Sequence, residues 1–166
     1  MPKTLVIFPD KCTGCHRCEL WCAMNKEGLI NPAKARLKVL RREPSIDVAA
    51  ICLQCGICIN ACLYGALSRD KKTGAVVVDD ERCIGCGKCV MACPYGMITV
   101  DASVRKAKKC DLCGGNPVCV QHCPENALQY LDVEKAAAIK RERYAKSLVS
   151  ELKGGSASNL NLEKLK

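Results

Sequence analysis

Cysteine spacing is the feature that most restricts what this chain can fold into. Sixteen of its 166 residues are cysteines, and they fall into four groups of four. Three groups have the spacing C-x2-C-x2-C-x3-C, and the last widens its middle gap to five residues. Repetition of one motif indicates duplication of a small structural unit. The groups are Cys12, Cys15, Cys18 and Cys22; Cys52, Cys55, Cys58 and Cys62; Cys83, Cys86, Cys89 and Cys93; and Cys110, Cys113, Cys119 and Cys123.

Three classes of protein use cysteine at this density: disulfide-stabilised domains, zinc proteins and iron–sulfur proteins. The residues before Cys12 contain no apolar stretch with a small-residue cleavage site, so nothing predicts the oxidising compartment that a disulfide framework needs. Zinc sites are usually built from two CxxC pairs or from CxxC with histidines. Three cysteines within seven residues place one thiolate too many beside each zinc ion. A structural or regulatory zinc protein stays open as the alternative.

The spacing suits an iron–sulfur cubane. In two-cluster ferredoxins, three cysteines of such a run bind one [4Fe–4S] cluster and the fourth binds the other cluster. We therefore expect reciprocal pairs of clusters, with the fourth cysteine of each group at the start of a helix that leads away. The sequence predicts four [4Fe–4S] clusters bound by all sixteen cysteines. No iron is then open to substrate, and we predict no catalytic residue.

The formal net charge of +9 would ordinarily indicate an acidic partner or nucleic acid. Fully ligated clusters are anionic and offset most of this excess, so we predict no nucleic-acid partner. One basic run, residues 105–109, adjoins Cys110, where a nearby positive charge should raise the potential of one cluster. Because every group has four thiolates, His16 and His122 are predicted to be surface residues near clusters. Trp21 is predicted to pack over a cluster.

Short apolar segments border the cysteine groups and predict strands at 5–8, 66–68, 75–78, 97–100 and 127–131. A helical turn is expected after the third cysteine of each group. From Val133 to Leu152, apolar residues recur at near-helical spacing and predict an amphipathic helix; these residues are Val133, Ala137, Tyr144, Leu148 and Leu152. A flexible tail is expected after it. No apolar run is long enough for a membrane helix, so we expect no direct membrane insertion and a cytoplasmic protein.

Residues 83–94, CIGCGKCVMACP, resemble a bacterial ferredoxin motif. With the relaxed fourth motif in residues 110–124, CDLCGGNPVCVQHCP, the whole arrangement resembles the four-cluster electron-transfer subunits of molybdenum and tungsten oxidoreductases and of formate hydrogenlyase-type complexes. The resemblance covers residues 1 to about 132. The chain looks most like the small subunit of a tungsten aldehyde oxidoreductase complex.

The resemblance implies an α+β fold of two fused ferredoxin-like halves, each a duplicated βαβ unit, that hold four [4Fe–4S] clusters. The inner half would be about 48–100 and the outer half 1–47 with 101–132, followed by an interaction helix at 133–153 and a tail at 154–166. It also implies four ligand sets, here called sites 1 to 4. They are Cys12, Cys15, Cys18 and Cys123 (site 1); Cys52, Cys55, Cys58 and Cys93 (site 2); Cys62, Cys83, Cys86 and Cys89 (site 3); and Cys22, Cys110, Cys113 and Cys119 (site 4).

The function implied is the relay of single electrons by a non-catalytic subunit. Its partners would be a catalytic subunit, a tungsten or molybdenum pterin aldehyde oxidoreductase, and a second redox subunit or carrier such as a flavoprotein. Self-association through a heterologous contact would extend the relay into longer chains. A free-standing polyferredoxin and a hydrogenase or formate dehydrogenase-type electron-transfer subunit are the alternatives.

Overall fold

The computed structural model describes residues 3–42 and 46–154. These residues divide into two compact units, of which the first ends at Asp132 and the second begins at Val133. The strands of the first unit are β1 (Lys3–Ile7), β2 (Lys38–Arg42), β3 (Ile46–Ala50), β4 (Leu67–Arg69), β5 (Val76–Val78), β6 (Ile98–Asp101), β7 (Lys106–Lys109) and β8 (Leu128–Asp132). Its α-helices are α1 (Arg17–Glu27), α2 (Ile57–Asn60), α3 (Lys88–Ala92) and α4 (Val118–Gln121).

The strands pair two by two, always antiparallel. Three of the pairs join neighbours in the chain: β2 with β3, β4 with β5, and β6 with β7. The remaining pair joins β1 to β8, with Leu5 opposite Tyr130. Because β1 precedes the first cysteine group and β8 follows the last, this pair brings the two outer groups together.

Two apolar cores lie within the first unit, and each takes its cysteines from a different pair of groups. One core packs Leu5, Leu112 and Leu128 around Cys18, Cys22 and Cys119 from the first and fourth groups. The other packs Val76, Ile98 and Ala107 around Cys58, Cys83 and Cys89 from the second and third groups. Strand β7, which carries Ala107, therefore belongs to the second core and leads the chain back to the first.

All five predicted strands are present, with bounds that differ from the prediction by one or two residues. The predicted helix is also present, as α5 (Val133–Gly154), and the tail expected after it lies outside the described residues. The sequence did not predict β2, β3 or β7. Strand β7 reads KAKK, with Ala107 as its one apolar residue, and such a segment has no apolar alternation of the usual kind.

The position of the helices corrects one expectation. Helices α1 to α4 each begin one residue before the third cysteine of their group. In three groups the fourth cysteine follows the helix instead of starting one, and Cys93 directly caps α3. A single helical turn advances about 5.4 Å. The short helix thus carries the fourth cysteine away from the first three without any further helix.

The turn between β6 and β7 approaches the third cysteine loop very closely at Gly85. This glycine has φ +71°, and a Cβ added to it would lie 2.3 Å from the backbone oxygen of Arg105. Gly87, in the same loop, has φ +77°, and a Cβ there would meet nothing within 4 Å. Positive φ favours glycine at both positions. At Gly85 a side chain would also clash with the backbone of Arg105.

We expect Gly85→Ala to destabilise the protein more than Gly87→Ala. Each substitution brings the left-handed backbone cost of a non-glycine residue, about 1–2 kcal/mol. Gly85→Ala must in addition displace the backbone at Arg105. Thermal unfolding of the anaerobically purified variants, followed by circular dichroism, measures the difference. Equal midpoints for the two variants would contradict the close approach.

Candidate metal centres

The cysteine loops share an unusual backbone, in which two residues of each loop have positive φ. In every group, the residue two after the first cysteine and the residue directly after the second both have positive φ. Loops of this kind form concave nests of N–H groups that bind anions, including iron–sulfur clusters. The eight residues are Gly14, Gln54, Gly85, Leu112, His16, Gly56, Gly87 and Gly114.

Three cavities lie against these loops, and each is lined by three cysteines of one group and one of another. Cys12, Cys15 and Cys18 line the first, together with Cys123. The second and the third cavities have the same pattern. Their cysteines are Cys52, Cys55, Cys58 and Cys93 in the second, and Cys62, Cys83, Cys86 and Cys89 in the third. The structure thus brings together the residues of sites 1, 2 and 3.

The cysteines of site 4 lie close enough together for the charge of one thiolate to raise the pKa of another. Burial raises the pKa of the Cys119 thiol well above its usual range, and the charges of Cys110, Cys22 and Cys113 add to the rise. Cys113 likewise raises the pKa of Cys22, after the larger effect of burial. Cys22 enters this set from the middle of α1, which packs against α4.

Burial changes the chemistry of the thiols in these sites. It raises the pKa of Cys18 and of Cys110 to about 12, and it raises the pKa of Cys58 and Cys89 as well. A thiol in such surroundings resists ionisation unless a metal supplies positive charge, and a coordinating thiol is then deprotonated outright. The sites therefore suit a metal centre and do not suit free reactive thiolates.

Backbone amides already point at four of the sulfurs. Ala66 N–H donates to Cys62 Sγ at 3.3 Å, and Met97 N–H donates to Cys93 Sγ at 3.4 Å. Two longer-range bonds, each of 3.3 Å, run from Arg36 N–H to Cys22 Sγ and from Ala107 N–H to Cys83 Sγ. Hydrogen bonds to cluster sulfurs are one of the means by which proteins set reduction potentials. Three of the four acceptors are the fourth cysteine of their group.

The histidines and the tryptophan make contacts that the sequence did not reveal. His16 Nδ1 lies 2.6 Å from Glu19 Oε2, where α1 begins. His122 stacks on Trp21 with ring centroids 3.6 Å apart and planes within 5°. Each member of the stack directly precedes the fourth cysteine of an outer group, where the inner groups have alanine. That positional match was visible in the sequence and would have suggested the pair.

Basic residues between Lys34 and Arg41 are partnered within the chain. Lys34 Nζ lies 2.5 Å from Asp101 Oδ2, and Arg36 pairs with Glu27. Arg41 Nε lies 3.1 Å from Asp47 Oδ1. The Lys34–Asp101 pair ties the segment between the first two groups to β6, and the other two pairs lie within that segment.

The described residues, 3–42 and 46–154, lack two further features. Among them, no three His, Cys, Asp or Glu side chains are grouped as they would be around a single metal ion. In the same part of the chain, no helix has the length and apolar character to cross a membrane.

Two known protein families match this chain, and together the matches cover all four cysteine groups. Residues 46–133, more than half of the chain, match the 4Fe–4S dicluster domain, and residues 9–25 match a 4Fe–4S binding domain. The predicted [4Fe–4S] cofactor is thereby confirmed, and the zinc alternative is wrong.

Curated relatives extend the match over most of the chain. The polyferredoxin-like subunit of aliphatic sulfonate oxidoreductase from Pyrococcus furiosus is 49% identical over 123 residues, which are 73% of this chain and 71% of the relative. Electron transport protein HydN of Escherichia coli is 35% identical and matches 87% of this chain and 98% of its own length.

Another relative is much longer than this chain. Subunit beta of NADH-dependent phenylglyoxylate dehydrogenase from Aromatoleum evansii is 36% identical over 134 residues, which are 78% of this chain but only 30% of the relative. What these proteins share with this chain is its cysteine-rich part. On these matches, the chain belongs to the 4Fe–4S dicluster family of electron-transfer iron–sulfur proteins.

Proposed function

We propose that this protein relays single electrons through four [4Fe–4S] clusters as the electron-transfer subunit of an oxidoreductase complex. The observation that carries the proposal is the cavity pattern, in which three cysteines of one group meet the fourth cysteine of another. Two reciprocal pairs of this kind would place four clusters in one small unit. All sixteen cysteines act as ligands in this scheme, so the chemistry on substrate belongs to a partner.

The catalytic partner would be a tungsten or molybdenum pterin oxidoreductase acting on an aldehyde, and the second partner a redox subunit or carrier such as a flavoprotein. The four-motif resemblance supports this choice. A subunit of a different oxidoreductase, that of aliphatic sulfonates, is the relative at 49% identity. The general proposal is therefore that the protein belongs to an oxidoreductase complex. The more specific proposal is that this complex acts on an aldehyde.

Helix α5 would attach this subunit to the catalytic subunit. Its apolar stripe includes Val133, Tyr144 and Leu148, whose exposed fractions are 46%, 66% and 41%. An exposed apolar stripe on a helix is typical of a surface that a partner covers. This favours a complex subunit over a free-standing polyferredoxin, which would need no such stripe.

Assembly into longer chains stays a prediction, and negative-stain images at several concentrations would test it.

Anaerobically purified protein should contain about sixteen iron and sixteen acid-labile sulfide atoms per chain, four of each for every cubane. Reduction with dithionite should bleach the visible absorption and give the electron paramagnetic resonance signals of reduced [4Fe–4S] clusters. Half of this iron content in fully folded protein would contradict the four-cluster proposal.

Reciprocal ligation can be tested by pairs of cysteine substitutions. Cys93→Ala with Cys55→Ala removes two ligands of site 2, whereas Cys93→Ala with Cys86→Ala removes one ligand each from sites 2 and 3. We expect the first variant to lose about four iron atoms and the second about eight, because substitutions at one shared centre are not additive. The two variants lack the same number of cysteines. The reverse order of losses would show that each group binds its own cluster.

Substitutions in α5 test attachment. Leu148→Asp should abolish recovery of the native partner subunits in a pull-down and leave the iron content unchanged, since a charge in the stripe opposes apolar packing. Lys135→Asp, placed away from the stripe by helical periodicity, is the control and should retain the partners. Recovery of the same partners with both variants would contradict the role of the stripe.

A further inference from the structure

Lys109 is a buried cation that no carboxylate balances. Its exposed fraction is 6%, and none of the ion pairs among the described residues includes it. Nζ donates to Gln54 Oε1 at 3.1 Å, to the Val76 carbonyl at 2.7 Å and to the Cys110 carbonyl at 2.6 Å. An ammonium has three donors, and these three oxygens use all of them. Burial of a charge is costly without a counter-charge nearby.

The surroundings of Lys109 supply the counter-charge once clusters are bound. Lys109 lines the cavity of site 2, and Cys110 of site 4 is the next residue in the chain. Cys58 lines the same cavity as Lys109, and the Lys109 ammonium lies 2.6 Å from the carbonyl oxygen of Cys110. The ammonium therefore acts on one ligand of site 2 and on one ligand of site 4.

Gln54 fixes the ammonium between the two sites. It lies inside the site 2 loop, where its Oε1 also accepts from Val76 N–H at 2.9 Å, and its Nε2 donates to the Cys110 carbonyl at 2.9 Å. Gln54 has φ +55° at a position where the first and third loops have Gly14 and Gly85. The side chain of Gln54 is held at this position by its contacts with Lys109, Val76 and Cys110.

We propose that Lys109 serves the clusters of both site 2 and site 4, and that its positive charge stabilises the reduced form of each. Each cluster gains one electron on reduction and becomes more negative, so a fixed cation between them favours uptake at either one. Its effects on the two clusters add when both are reduced, because the cation interacts with each cluster separately. Since site 2 belongs to the inner half and site 4 to the outer half, Lys109 would ease the passage of electrons from one half to the other. The inference rests on the proposed function.

The test is a redox titration of the full-length holo-protein, followed by electron paramagnetic resonance. In Lys109→Met, two of the four midpoints should fall while the other two stay. We expect each fall to correspond to at least a tenfold loss in the reduction equilibrium, which is about 59 mV for a one-electron couple. Lys108→Met is the matched control, because it removes the same charge from the neighbouring position of β7. It should move all midpoints less.

Two further variants separate charge from packing. Lys109→Arg keeps the charge and should keep both midpoints near those of the wild type. Gln54→Glu keeps the acceptor for Lys109 but places a negative charge beside it, so the same two midpoints should fall. This variant reports on the charge even if Lys109→Met does not load its clusters.

Several outcomes would overturn the role of Lys109. They are full cluster content with unchanged midpoints in Lys109→Met, a shift confined to one midpoint, or equal falls in Lys109→Arg and Lys109→Met. Failure of both Lys109→Met and Gln54→Glu to bind clusters, with normal loading of Lys109→Arg, would assign the charge of Lys109 to cluster binding in place of the reduction potentials. The iron content of the wild type tests the four-cluster proposal separately, so failure of one idea is distinguishable from failure of the other.

Discussion

The bond between sulfur and iron is the interaction on which the proposed architecture depends, because each site draws its ligands from distant parts of the chain. Under the proposed ligation, three sulfurs of each site come from one tight loop, and the fourth comes from a group 31 residues away in the inner half or about 100 residues away in the outer half. The apolar cores are small, and cysteines themselves form a large part of them. Metal ligation contributes directly to folding in such proteins. The strands, each paired with a single partner, then serve to hold the loops in place.

Polar groups are arranged around the loops in a way that an ordinary core does not need. Two residues in each loop have positive φ, and four backbone amides outside the loops donate to cysteine sulfurs. Lys109 and Gln54 are buried, and all three N–H groups of the Lys109 ammonium donate hydrogen bonds to oxygen atoms. These features cost stability in a protein that binds no anion. They are favourable around an anionic centre, and this is why the polar interior and the cofactor are best understood together.

Much of the architecture was predictable, since cysteine spacing is a strong local constraint. The five strands next to the groups and the helix from Val133 followed from short apolar patterns. Other features depend on contacts that periodicity does not encode. In the lysine-rich strand β7, Lys109 is buried with hydrogen bonds from its Nζ to three oxygens, and the Trp21–His122 stack joins residues about a hundred positions apart. The helix position was missed because spacing alone does not show on which side of the third cysteine a helix begins.

Pairing of β1 with β8 has a consequence for how the protein would be made. A ribosome delivers the chain from its first residue, so Cys12, Cys15 and Cys18 emerge long before Cys123 can join them. With the ligand sets proposed above, the inner sites would be complete once residue 93 has emerged, whereas the first site would wait for most of the first unit. Under the proposed ligation, clusters in the inner half could be inserted during synthesis, and the outer half would mature last. Its earliest thiols would meanwhile be exposed to oxidants, which makes anaerobic maturation most important for the first group.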